Sequence, residues 1–136
     1  MLNDISQLHY YIACHEPLVG RIWSGTNTSY WYTWLHRKAF EKELGGKPIE
    51  GSLNIWFTQE CVFPHPKRFH QPKAERWSPV YVQHVILSSN KKRFVRGLAL
   101  RRGRRDSRAW IEVFSTVRIR KTLSLKDNDL VSVWML

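Results

Sequence analysis

The chain has 136 residues, one domain's length. With 43% hydrophobic and 24% charged residues it reads as a folded globular protein, not a disordered tail. No apolar run approaches the roughly 20 residues of a membrane helix, and the opening MLNDISQLHYYIACHEP lacks the basic start and greasy core of a secretion signal. Lys and Arg number 22 against 11 Asp and Glu, a net charge of +11 that favours phosphates, nucleotides, nucleic acid or an anionic membrane as partners.

In chain order, Leu2, Ile5, Leu8 and Tyr11 or Ile12 fall at helical spacing. Residues 1–17 are therefore expected to be a short helical extension that stops at Pro17, ahead of one domain over 18–136. LVGRIW predicts a strand, SGTNTS a turn-rich loop, and SYWYTW a continuing strand. LHRKAFEKELGG predicts a helix with an apolar stripe at Leu35, Ala39, Phe40 and Leu44, stopped by Gly45.

A strand is expected from Ser52 to Phe57. Residues 61–79 hold four of the six prolines without periodicity and read as a long surface loop. VYVQHVIL and RFVRGLAL, joined by SSNKK, predict a hairpin over 80–100. RRGRRDSR reads as a basic loop and AWIEVF as a strand. A short helical or turn segment, a KDND turn and a final strand close the chain. The fold class expected from this tally is mainly β: a compact six-stranded β-barrel with one or two short helices packed on it.

Cys14 and Cys61 are widely separated and outside any C-x-x-C pair, so two free buried thiols and a reducing, cytoplasmic location are expected. The seven Trp are read mainly as core and rim packing. Twelve basic residues lie between Lys91 and Lys121, opposed only by Asp106 and Glu112. That run is either a phosphate- or nucleic-acid-attracting surface or a plainly solvated face. No G-x-x-x-x-G-K-[ST] loop is present. Cys61, His65, His70 and His84 fit no strong zinc template. Ser52 and Asn54 are two apart, so on a strand their oxygens share a face and can share one cation; the alternative is that they merely close the turn after Gly51.

Three stretches together resemble the CTP-dependent riboflavin kinases, the archaeal type built on a cradle-loop β-barrel. They are GRIWSG at 20–25, LGGKPIEGSLNIWF at 44–57 and IEVFSTVRIRKTLSLKDNDLVSV at 111–133. Order and spacing agree over residues 18 to 135. The resemblance implies a kinase that moves the terminal phosphoryl group of CTP to a primary hydroxyl, on riboflavin to give FMN or on a related small alcohol, with Mg²⁺ as cofactor.

Residue by residue, the resemblance puts metal ligation on Ser52 and Asn54. Nucleotide binding falls on Gly25, Thr26, Asn27, Thr28, Ser29, Tyr30 and Trp31, and on Arg118, Ile119, Arg120 and Lys121. It puts Glu112 on the flavin side, and a carboxylate there can orient the acceptor hydroxyl or take its proton, which makes Glu112 our candidate catalytic residue; Arg104 and Arg105, in the basic loop, join it in our reading of the acceptor side. The family carries G-x-G-x-G after the first strand; here positions 27 and 29 are Asn and Ser. Two alternatives stand beside this reading: a non-enzymatic basic β-barrel binding nucleic acid through residues 91–121, and a catalytically lapsed relative that only binds nucleotide or flavin.

Overall fold

Alternation of side chains decides which face of each strand turns inward, and the protein follows that rule almost throughout. The computed structural model describes residues 5–23, 36–49, 53–69, 80–102 and 109–136. Among these, the strands are β1 (Leu18–Trp23), β2 (Leu53–Phe57), β3 (Lys67–Phe69), β4 (Val80–Ser88), β5 (Val95–Arg102), β6 (Trp110–Phe114) and β7 (Leu130–Met135). The helices are α1 (Ile5–Cys14), α2 (Arg37–Leu44) and α3 (Ile119–Thr122).

The strands lie in the order β3-β4-β5-β6-β2-β1-β7, and β4 pairs again with β7. All the pairings are antiparallel. Six strands thus close into the expected barrel, and closure removes the sheet edges that would otherwise invite association. Strand β3 is the seventh: it pairs with the first residues of β4, whose last residues meet β7. It corrects the expected loop over 61–79. Three residues between prolines give no periodic signal; pairing with Val80–Val82 makes them a strand.

The barrel is filled by inward residues such as Ile22, Leu53, Ile55, Val85, Leu87, Ile111, Val113, Val131 and Val133. Ile119, Leu123 and Leu125 plug one pole. Space inside is tight. A Cβ on Gly20 would sit 2.4 Å from Ile55 Cγ2, and one on Gly97 would sit 2.5 Å from Val113 Cγ1. Glycine therefore lets adjacent strands close at these two places.

A second apolar cluster lies outside the barrel, on the outer faces of β3 to β6, under α2. Phe40 is its fully buried centre, edge-on to Phe69 (5.3 Å) and Phe114 (5.4 Å), with Val80, Val82, Leu98 and Leu100 around it. Ala39 and Leu44 pack at its margin as the helical stripe predicts; Leu35 lies outside the described residues. Gly45 ends α2 in the left-handed conformation at φ 73°, where its N–H reaches Glu41 O.

An ionic contact holds the same helix. Glu43 accepts from Lys67 Nζ on β3 and, at 2.8 Å, from His84 Nε2 on β4. Partial burial pushes the Glu43 carboxyl up, but the hydrogen bonds and charges of Lys67 and His84 outweigh it and hold the group below the usual carboxylate range. A lowered folded-state pKa stabilises fully above the unfolded value, and that stability is lost as pH falls through the folded value. Glu43→Gln is therefore expected to cost about 1–3 kcal/mol at neutral pH. Its melting temperature should converge on that of the wild type as pH falls below the folded-state value; paired thermal melts over an acid pH series check this.

Two further expectations are corrected. Arg101 and Arg102 belong to β5 rather than to the basic loop. Arg101 turns inward, 4% exposed, with its guanidinium 4.5 Å from the Phe63 ring centre. Both cysteines are free, but only Cys61 is buried; Cys14 is exposed on α1. Burial pushes the Cys61 thiol up, against the opposing pull of Arg101. Helix α1 leans on the last strand: the Tyr11 hydroxyl donates to Met135 O, and Trp134 Nε1 donates to His15 O at 3.0 Å.

Candidate active site

The site is built on the outer face of β1, β2 and β6. Leu53, Ile55 and Phe57 point into the barrel, so Asn54 and Trp56 point out. On β6, Ile111 and Val113 point in and Glu112 points out. Asn54 lies directly opposite Glu112 on one side and Trp23 on the other. One transverse row therefore reads Trp23, Asn54, Glu112, Leu100, and ends under α2. Although they face away from the barrel interior, Asn54 and Glu112 are only 7% and 6% exposed. Two buried polar side chains on facing strands are costly unless they are satisfied or used.

The pole of the barrel next to this row carries the basic groups. The turn at 126–129 hydrogen-bonds to the end of β1: Asn128 N–H donates to Ile22 O (3.0 Å) and Ile22 N–H to Asp129 O (2.9 Å). Asn128 takes a left-handed φ of 72° there. Arg120 bridges the same elements, donating to Trp23 O at 3.3 Å and pairing with Asp127 at 2.8 Å. The structure thus brings α3 against Trp23, the residue whose strand partner is Asn54.

Arg118 caps α3, and both Arg118 and Lys121 are exposed. Ile119 is different: its side chain is 7% exposed and part of the barrel core, leaving only its backbone for a ligand. Of the other sequence-predicted residues, Gly25, Thr26, Asn27, Thr28, Ser29, Tyr30, Trp31, Ser52, Arg104 and Arg105 lie outside the described residues, as does the continuing strand expected at SYWYTW.

The fit to a divalent cation rests on the donor set. Magnesium takes oxygen ligands and commonly leans on one or two protein groups plus substrate phosphates. Asn54, withdrawn from solvent, supplies one such group, an amide oxygen, and Glu112 faces it from β6 as a carboxylate on the acceptor side. Among the described residues there is no group of three His, Cys, Asp or Glu side chains that would form an all-protein cage. An oxygen donor of this kind fits an ion that takes most of its ligands from phosphate and water.

The aromatic neighbours were missed by sequence reasoning. Trp56 stacks on Trp110, its strand partner, with ring centres 6.0 Å apart, and Trp23 meets Trp56 edge-on at 6.3 Å. Trp23 and Trp56 are 57% and 45% exposed, so they are not core tryptophans. The usable signal was the alternation in LNIWF and WIEVF, which puts each Trp on the outer face with Asn54 or Glu112.

A family model named for the CTP-dependent riboflavin kinases and described as a domain of unknown function, DUF120, matches residues 22–135. The chain belongs to the CTP-dependent riboflavin kinase family. Among curated relatives, a riboflavin kinase of Staphylothermus marinus is 32% identical over 120 residues, covering 85% of this chain and 88% of the relative. A riboflavin kinase of Pyrobaculum aerophilum is 28% identical over 145 aligned positions, covering 100% of this chain and 67% of the relative. The match to this kinase family spans the barrel from the end of β1 to β7 and so includes Trp23, Asn54, Glu112 and α3.

Proposed function

We infer that the chain is a riboflavin kinase that uses CTP, transferring its terminal phosphoryl group to the primary hydroxyl of riboflavin and releasing FMN and CDP. The observation that carries this reading is the pairing of Asn54 with Glu112 across β2 and β6, both buried, beside the pole that holds Arg118, Arg120 and Lys121. Family membership supplies the substrates.

Phosphoryl transfer asks little covalent chemistry of a protein; it asks for held phosphates, neutralised charge and an aimed hydroxyl. In this reading Arg118, Lys121 and the backbone at Ile119 hold the triphosphate. Arg120, anchored by Asp127 and Trp23 O, stiffens that segment. Residues Gly25 to Trp31 are assigned to the nucleotide; Asn27 and Ser29 stand at two of the family's glycine positions, and the hydroxyls of Thr26, Thr28 and Ser29 offer contacts to phosphate in place of some backbone ones. Mg²⁺, when bound, would be held by the oxygens of Asn54 and Ser52 together with the phosphates, and would neutralise the charge that develops there.

Glu112 orients the acceptor hydroxyl and takes its proton as the new oxygen–phosphorus bond forms and the bond to the CDP oxygen breaks. Arg104 and Arg105 are assigned to the acceptor side from the sequence. The dense basic run does not make one nucleic-acid face. Lys91, Lys92 and Arg93 sit between β4 and β5, Arg101 is inside the barrel, and Arg120 is paired with Asp127.

Incubating the protein with Mg²⁺, riboflavin and each nucleoside triphosphate tests this reading by chromatography. FMN and CDP should appear in equal amounts with CTP and far more slowly with ATP. Asn54→Ala should raise the Mg²⁺ concentration needed for half-maximal rate by roughly tenfold or more. A protein that releases neither FMN nor CDP under these conditions is not this kinase.

A further inference from the structure

The outer face of β1, β2 and β6 holds two parallel rows. The first is Trp23, Asn54 and Glu112. The second, two residues further along each strand, is Arg21, Trp56 and Trp110. Two residues of strand separate the rows by about 7 Å. The first row borders the pole with α3 and the 126–129 turn; in the second, Arg21 reaches back to donate to Asn128 O of that turn at 3.0 Å, while Trp56 and Trp110 stand two residues further from the pole. In-line phosphoryl transfer puts the leaving and attacking oxygens on opposite sides of phosphorus. With the donor phosphates at the pole and the hydroxyl at Glu112, the body of the acceptor must extend away from the pole, over the second row.

That row is chemically specific. Tryptophan is costly to leave in water, yet Trp56 remains nearly half exposed and holds its ring within 28° of parallel to Trp110. Trp23 braces the pair edge-on, so it presents a π surface of nearly fixed orientation. Trp110 comes two residues after Arg108, the last of the arginines at 101–108.

We propose that Trp56 and Trp110 form the stacking platform for the isoalloxazine ring of the acceptor, with its ribityl chain spanning the interval back to Glu112. The proposal rests on the riboflavin kinase reading and adds to it the residues that select a flat tricyclic acceptor over a simple alcohol. Stacking on aromatic side chains commonly carries enough affinity to be read in single substitutions.

The test titrates the 136-residue protein with riboflavin and, separately, with lumichrome, which carries the flat tricyclic ring in its alloxazine form without the hydroxyl chain. Binding is followed by quenching of flavin fluorescence in the wild type, Trp56→Leu, Trp110→Leu and Trp56→Phe. Both leucine variants should bind riboflavin and lumichrome roughly tenfold or more weakly, and phenylalanine should restore most of the loss. The riboflavin KM should rise with the CTP KM unchanged. Thermal melts establish that each variant is folded.

Wild-type flavin affinity in a folded Trp56→Leu protein overturns the platform alone, as does a loss of CTP affinity in place of flavin affinity. Lumichrome binding that depends on Trp56, in a protein that phosphorylates no riboflavin, upholds the platform and removes the kinase reading. A wild type that binds neither flavin overturns both.

Discussion

Replacing Glu112 by glutamine is expected to lower kcat for riboflavin phosphorylation by roughly a hundred- to ten-thousand-fold, the usual worth of a positioned proton acceptor. Glutamine keeps the shape and can keep the burial of a side chain that is 6% exposed between Asn54 and Leu100. It removes the charge and the basic oxygen. Binding of CTP should change little, because the groups assigned to the phosphates lie on α3 and before it, one strand beyond Asn54. Glu112→Asp should recover part of the rate, since it restores a carboxylate at a slightly longer reach. The measurement is steady-state kinetics with both substrates varied. A glutamine variant with near-normal kcat would leave Glu112 as a structural residue only.

Phe40→Ala should give the largest loss of stability, about 3–5 kcal/mol, because a fully buried phenylalanine leaves both its transfer energy and a cavity behind. For a chain of this length that is a fall in melting temperature of about 10–18 °C. The loss should be that large because Phe40 is the point where α2 meets the sheet, edge-on to Phe69 and Phe114 at once. Phe40→Leu should lose less than half as much, since it refills most of the volume. Scanning calorimetry of the two variants separates these values. A shift of only a degree or two for the alanine variant would mean that α2 is not anchored as described.

The strands that alternate cleanly were legible from the residues. LVGRIW, VYVQHVIL and AWIEVF each became a strand at or within a residue of its expected place, and Gly45 ended its helix as expected. KRF was not legible: three residues are too few to show a period, and only the free edge of β4 makes them β3. The charge count also misled. Twelve basic residues in one stretch suggested a single field, but β5 continues two residues further than expected and turns Arg101 into the barrel. Composition could not say which tryptophans lie on an outer face: Trp134 is buried, while Trp23 and Trp56 are exposed.

The sequence by itself determined the β-rich class, the positions of most strands and the membership of Asn54 and Glu112 in motifs with chemical meaning. Those follow from local periodicity and residue type, which act over a few residues. Only the tertiary structure decided that Asn54 and Glu112, far apart in the chain, face one another across β2 and β6. It also decided that α3 closes against Trp23 and that three tryptophans share one exposed face beside them. Strand register is set by the packing of the whole barrel: a slip of one residue would turn every one of these side chains to the other face, and no local pattern carries that information.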